Sequence, residues 1–256
     1  LIQMSIRTEV RGAAYWITID NAKRKNAISS KMWSELCEAL EDADGMDEIL
    51  LTVFTGVGEY YSSGNDFNPK EAAGADQSDP DYEAGYSRFM RRLIKHTKVL
   101  VGLVNGPAIG IAATTLGLFD YVVCSDSATF LTPFPFMGFS PEGTSSVVFE
   151  RIMGTSKATE MLLFGESMTS TQALQRGFVS HVFPKAEFAQ NAAALIEKFA
   201  KLPKHSVLAS KELCRGQRWR REMLAIHNEE YDLLKKLIVD ENTIALIQKR
   251  FSKAKI

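Results

Sequence analysis

A chain of 256 residues with 45% apolar side chains can fill one large core or two small ones. Its 30 basic and 31 acidic residues nearly cancel, which argues against the broad positive field that nucleic acid or an anionic membrane surface selects. Cys37, Cys124 and Cys214 are odd in number and widely spaced, and the histidines show no H-x-x-x-H pairing, so neither a disulfide framework nor a metal enzyme is expected.

The chain begins at Leu1 without a basic-then-apolar leader, which leaves open whether an upstream domain or transit peptide is missing. SIRTEV and AYWITID alternate about Gly12 and read as a hairpin. After NAIS, Ser29 or Ser30 caps a helix with Met32, Leu36, Leu40 and Ala43 on one face. ILLTVFTG reads as a buried strand, GVGEYYSSGND as a glycine- and serine-rich loop, and the polar segment Asn68 to Asp81 as mobile chain. YSRFMRRLIKHT is an amphipathic helix through Phe89, Leu93 and Ile94. Val99 to Phe119 lacks charge and is long enough to span a membrane, but Asn105, Gly106 and Pro107 interrupt it. It reads instead as strand VLVGLV, a turn and a helix IGIAATTLGLF. Strand YVVCS and the segment ATFLTP follow. Past Thr169 the strand signal fades; Phe188, Ala192, Leu195, Phe199 and Leu202 form a helical stripe, and helical patterning runs from His205 to Ile256. The class is α/β with a helical C-terminal region.

Two short motifs fail on their chemistry. GFSPEG imitates the G-x-S-x-G elbow of a serine hydrolase, but Pro141 has no N–H to lend to an oxyanion hole after Ser140. GVGEYY imitates a dinucleotide fingerprint, but Tyr61 replaces its third glycine. The clusters Lys23, Arg24, Lys25 and Arg218 to Arg221 read first as solvated faces, with phosphate binding as the alternative. More promising are SSGND (Ser62 to Asp66), where Gly64 permits close approach, and NGPAIGIAATT, where a helix beginning near Gly110 leaves the amides of Gly110, Ile111 and Ala112 unpaired. With Glu142 between Pro141 and Gly143, these loops supply a carboxylate facing an oxyanion hole, the equipment for taking a proton from carbon beside a carbonyl.

KNAIS, TGVGEYYSSGND, NGPAIGIAATTLGLFDYVVCSDSATFLTPF, SPEG and AxxxGFVSHVFP (Ala173 to Pro184) together resemble the enoyl-CoA hydratase/isomerase, or crotonase, superfamily. The likeness is greatest to its peroxisomal-type Δ3,Δ2-enoyl-CoA isomerases. It implies a ββα spiral core over residues 1–200 and a helical region over residues 201–256 that assembles a homotrimer or a dimer of trimers. It places the oxyanion amides on Asn65 and Ile111 and the base on Glu142. Lys23, Lys25 and Ala27 are implied neighbours of the CoA nucleotide; Ser62, Ser63, Gly64, Asp66, Phe67, Gly110 and Phe134 are implied substrate contacts. The family's N-R-P is lost at Asn21 and Ala22. Where hydratases of the superfamily usually carry two glutamates, this chain has Thr114 and Phe134, which favours moving one proton between two carbons over adding water. The apolar Phe134, Phe136, Met137 and Phe139 are expected to raise the Glu142 pKa. No metal or redox cofactor is implied, CoA being part of the substrate. The rival functions are 2-enoyl-CoA hydratase and a non-catalytic acyl-CoA-binding protein. The closing Ala254, Lys255, Ile256 resembles a variant of the S-K-L peroxisomal address, with the mitochondrion as the alternative.

Overall fold

The computed structural model describes residues 6–66 and 85–253; Phe67, the segment from Asn68 to Asp81 and the closing tripeptide lie outside the described residues. β1 (Ile6–Arg11) and β2 (Ala14–Ile19) pair antiparallel, with Ile6 opposite Ile19 and Arg11 opposite Ala14. Ser29 caps α1 (Ser30–Gly45), its hydroxyl accepting the Met32 N–H at 3.4 Å, and Met32, Leu36, Leu40 and Ala43 are all buried. There follow β3 (Leu51–Gly56), α2 (Gly85–Lys95), β4 (Val99–Val104), β5 (Ala108–Ile109), α3 (Ile111–Thr114), β6 (Tyr121–Ser125) and β7 (Thr129–Leu131). Next come α4 (Phe134–Met137), α5 (Ser145–Met153), α6 (Thr155–Leu162), β8 (Met168–Thr169), α7 (Ser170–Gln175) and β9 (His181–Phe183). α8 (Phe188–Ala200), α9 (Lys204–Arg215), α10 (Gln217–Ile238) and α11 (Glu241–Lys253) complete the chain's described elements.

The main sheet runs β1-β2-β3-β4-β6-β9, parallel throughout except for the opening hairpin, and a small sheet runs β5-β7-β8. Parallel strands covered on both faces must be apolar on both, which is why VLVGLV shows no alternation. α1 and α2 cover one face, where Trp33 meets Phe89 at 5.3 Å between ring centroids. α8 covers the other, laying Phe188, Ala192 and Ile196 over Leu51, Val53, Val101, Leu103 and Val123. Among the described residues no helix is long and apolar enough to cross a membrane.

Three sequence expectations need correction. IGIAATTLGLF makes only one α-helical turn before tightening to a 3-10 turn at Thr115–Leu118. The hydroxyls of Thr114 and Thr115 both donate to the Ile111 carbonyl, at 3.3 and 2.8 Å, competing with the regular ladder. HVF, read without strand character, is β9, paired with β6 from Val123 opposite His181 to Ser125 opposite Phe183; three residues are too few to show a period. In the α8 stripe, Ile196 takes the inner position, while Leu202 lies beyond the helix and is 47% exposed. A spacing near 3.6 brings Ile196 inward, and a stripe extended past Ala200 overruns the helix.

The C-terminal helices fold back on the sheet. Asp120 binds Lys211 Nζ at 2.8 Å and Arg215 Nε at 3.2 Å, and accepts the Leu100 N–H at 2.8 Å. Lys211 is buried, so the pair is held in a low-dielectric seam where one orphaned charge is expensive. Asp120→Ala is expected to destabilise the chain by about 3 kcal/mol, seen as a lower urea midpoint with an unchanged slope.

Candidate active site

The segment Tyr61 to Asp66 is held on both sides by main chain. On one side, Ile28 N–H donates to Gly64 O at 2.9 Å, Asp66 N–H to Ile28 O at 2.8 Å and Ser63 N–H to Lys25 O at 2.9 Å. On the other, Tyr61 N–H donates to Pro107 O at 3.1 Å and Ile109 N–H to Ser62 O at 3.0 Å. The buried Ser62 hydroxyl donates to Asn26 O at 2.7 Å and accepts the Gly64 N–H at 3.1 Å. Gly64 has φ +87°, and a Cβ there would lie 2.5 Å from Ile109 O and 3.7 Å from Ile111 N, so only glycine lets the two loops meet.

This meeting brings the amides of Asn65 and Ile111 to one cavity. Neither donates to an acceptor among the described residues: the bridge between Ile28 and Asn65 uses the flanking groups, and Ile111 opens α3. The Gly110 amide, expected to be free, instead donates to Leu131 O at 2.8 Å through the β5-β7 pairing. The Asn65 side chain is fixed by Trp33, whose Nε1–H donates to Asn65 Oδ1 at 2.8 Å.

The cavity has a volume of about 580 Å³ and is lined by Lys23, Arg24, Lys25, Ala27, Ser63, Gly64, Asn65, Asp66, Tyr86, Ile109, Gly110, Ile111, Pro133, Phe134, Met137, Phe139, Glu142, Leu234 and Ile238. Of the residues singled out from sequence, Ser62 stays behind the wall as a strut, and Phe136 points away, 52% exposed. α4 is a single turn, so it cannot turn Phe134, Phe136, Met137 and Phe139 all inward. Ser140 is buried and lies off the cavity wall. Arg24, Tyr86, Ile109, Pro133, Leu234 and Ile238 were not foreseen as lining. Leu234 and Ile238 share a helical face with Glu230 at successive four-residue steps, a periodic signal that does not say which surface the face meets.

Glu142 is 8% exposed, in the turn between α4 and α5. Gly143 packs so close to Thr114 that a Cβ would lie 2.4 Å from Thr114 Oγ1, and that hydroxyl shares its one proton between the Ile111 carbonyl and Glu142 Oε1, each at 3.3 Å. Burial pushes the Glu142 carboxyl up to about 8, helped by the charge of Glu230 and opposed by the Thr114 hydrogen bond. At the cavity's basic edge, Arg24 pairs with Asp66 at 2.7 Å and Lys25 Nζ stands 5.2 Å from the Tyr60 ring centroid. The site thus combines a carboxyl able to hold or release a proton near neutrality, unpaired amides, an apolar wall and cationic side chains.

The sequence profile of the enoyl-CoA hydratase/isomerase family matches residues 9–248, and the chain belongs to that family, within the crotonase superfamily. It is 41% identical over 244 residues to human enoyl-CoA delta isomerase 2, covering 94% of this chain and 61% of that protein. It is 40% identical over 245 residues to the mouse protein named enoyl-CoA delta isomerase 3, peroxisomal, covering 93% of this chain and 76% of that one. The chain therefore spans about three fifths of the length of the human relative. Among solved structures, an enoyl-CoA hydratase/isomerase from Pseudoalteromonas atlantica T6c superposes with a TM-score of 0.89 at 26% identity, over 98% of both chains.

The raised carboxyl carries a stability consequence with a definite sign. Its ordinary value is 4.5 and its folded value about 8, so its contribution is fully present below 4.5 and is lost as pH rises through about 8. Glu142→Gln cannot ionise, and is expected to exceed the wild type in stability by on the order of 4 kcal/mol at pH 8, with little difference at pH 5. Urea titrations of both proteins at the two pH values check this; a gap that does not widen with pH contradicts it.

Proposed function

We propose that this chain isomerises 3-enoyl-CoA thioesters to trans-2-enoyl-CoA, a step of fatty-acid β-oxidation. The observation that carries the reading is the single buried carboxyl of Glu142, on a cavity shared with the amides of Asn65 and Ile111. The other carboxylate lining the cavity among the described residues, Asp66, is engaged by Arg24. Thr114, against Glu142, and Phe134, on the same wall, bring no second carboxylate where hydratases of the superfamily usually have theirs. The names of the human and mouse relatives agree with isomerisation.

In this reading the thioester oxygen accepts the Asn65 and Ile111 N–H groups. The ionised Glu142 takes a proton from C2; the C–H electrons spread into the carbonyl and the C3=C4 bond as a dienolate. The same carboxyl returns the proton to C4, leaving the double bond between C2 and C3. Amides aimed at the oxygen stabilise charge that grows only in the transition state, and losing one such donor typically costs about 3 kcal/mol, or about a hundredfold in rate. Lys23 and Lys25 would meet the nucleotide end of CoA beside Ala27, and the apolar wall would receive the acyl chain. Residues 1–200 form the catalytic core in this reading and residues 201–256 the assembly region of a homotrimer or dimer of trimers; exposed Leu213, Leu233 and Val239 suit burial against other copies. The peroxisome is the proposed location, supported by the mouse relative's name.

Glu142→Gln is expected to bind acyl-CoA while losing about a thousandfold in kcat on 3-hexenoyl-CoA, followed by absorbance of the conjugated product. Activity near wild type removes the assignment, binding without wild-type turnover favours the non-catalytic alternative, and dominant loss of crotonyl-CoA absorbance favours a hydratase. Wild-type kcat/KM is expected to rise with pH to a plateau above about 8, because only ionised Glu142 can take the C2 proton. Trp33→Phe, which frees the Asn65 side chain, is expected to lower kcat about tenfold with little change in KM.

A further inference from the structure

Glu230 lies on α10, one turn before Leu234 and two before Ile238, yet is absent from the cavity wall those residues line. Its buried carboxylate accepts the Thr144 N–H at 2.6 Å, the Ser146 N–H at 3.0 Å and the Ser146 hydroxyl at 2.5 Å. These donors open α5 directly after Glu142 and Gly143, where the helix leaves amides unpaired and favours negative charge. Thr144 has φ +62°, a conformation costly to a β-branched residue, and the two amides flanking Ser145 are held by one carboxylate. The Ser145 hydroxyl closes the turn from within, donating to Glu142 O at 2.7 Å.

We propose that Glu230 is a positioning residue for Glu142: it captures the amides of Thr144 and Ser146, fixes the turn that aims the Glu142 carboxyl into the cavity, and sets a second negative charge behind it. The proposal rests on Glu142 being the proton-transferring group. An isolated hydrogen-bonding clamp could have been built from a neutral side chain; a carboxylate also resists ionisation of the group in front of it. The Glu230 charge acts in the same direction as burial on Glu142. Of the other ionisable groups nearby, His227 on α10 is bonded to Ser87 of α2 at 2.8 Å, Arg151 on α5 pairs with Glu222 at 2.5 Å, and Asp66 across the cavity pairs with Arg24.

Glu230→Gln keeps the size of the side chain, removes the charge and replaces one acceptor oxygen by a donor. On 3-hexenoyl-CoA, kcat is expected to fall about tenfold or more with KM within about twofold, and the rise of kcat/KM with pH to move to lower pH. An unmoved rise overturns the proposal, since a purely structural role alters the amount of folded protein without altering that titration. A substrate-free measurement separates the proposal from the isomerase reading: the infrared carboxyl band that disappears in Glu142→Gln is titrated in the wild type and in Glu230→Gln. A lower midpoint in Glu230→Gln supports the coupling even if no 3-enoyl-CoA is turned over, a result that would count against the isomerase reading alone; an unchanged midpoint overturns it. Should Glu230→Gln not fold, Ser146→Ala removes one donor from the clamp and is expected to lower kcat about fivefold at constant KM, while wild-type kcat in that variant overturns the proposal.

Discussion

Everything at the site depends on one short strip of main chain, Tyr61 to Asp66, being gripped from two sides at once. Residues 25–28 hold one edge by hydrogen bonds and residues 107–109 hold the other, so three segments distant in sequence become one rigid floor. Main-chain amides are good oxyanion donors only when their direction is set before the reaction begins. Here the grip exhausts the neighbouring donors and leaves the Asn65 and Ile111 amides unengaged among the described residues. The requirement for glycine at position 64 follows from the same closeness, because the floor has no room for a β-carbon.

Set against this donor face is an acid that the fold holds at an energetic disadvantage. Removing a carboxyl from water opposes its ionisation, and a second carboxylate behind it adds to the opposition. Burial pushes the Glu230 carboxyl upward as well, but three hydrogen bonds to its charged form oppose that push, whereas Glu142 has only the long contact from Thr114. Two buried glutamates on neighbouring elements therefore have different tasks, set by what donates to each. The stability lost at Glu142 is the sort of local cost that reactive sites carry and the surrounding core offsets.

Much of the scaffold was legible because its signals are local. Ser29 before an apolar stripe marks a helix start, and VLVGLV bounded by a charged helix and Asn-Gly-Pro marks a buried strand. The SSGND and NGPAIG loops were visible as composition, although which amides are free depended on partners: Leu131, remote in sequence, takes the Gly110 N–H. β9 escaped notice because three residues carry no period, and it is a strand only because β6 offers an edge. Leu234 and Ile238 escaped because amphipathicity gives a helix a face without naming the surface it meets. Glu230 was hidden for the same reason, its partners Thr144 and Ser146 lying 86 and 84 positions earlier.

The contribution of α10 to the cavity wall bears on how the chain acquires its site during synthesis. The floor and the carboxyl are complete in sequence once α5 has been made, but the wall bearing Leu234 and Ile238, and the clamp on the turn, arrive only with the penultimate described helix. A chain still emerging from the ribosome can thus assemble its sheet while its cavity remains open along one side. Folding of the scaffold and completion of the cavity are separated in time, and a nascent chain ending before α10 would hold the amides and the carboxyl of the proposed site without the wall that encloses them.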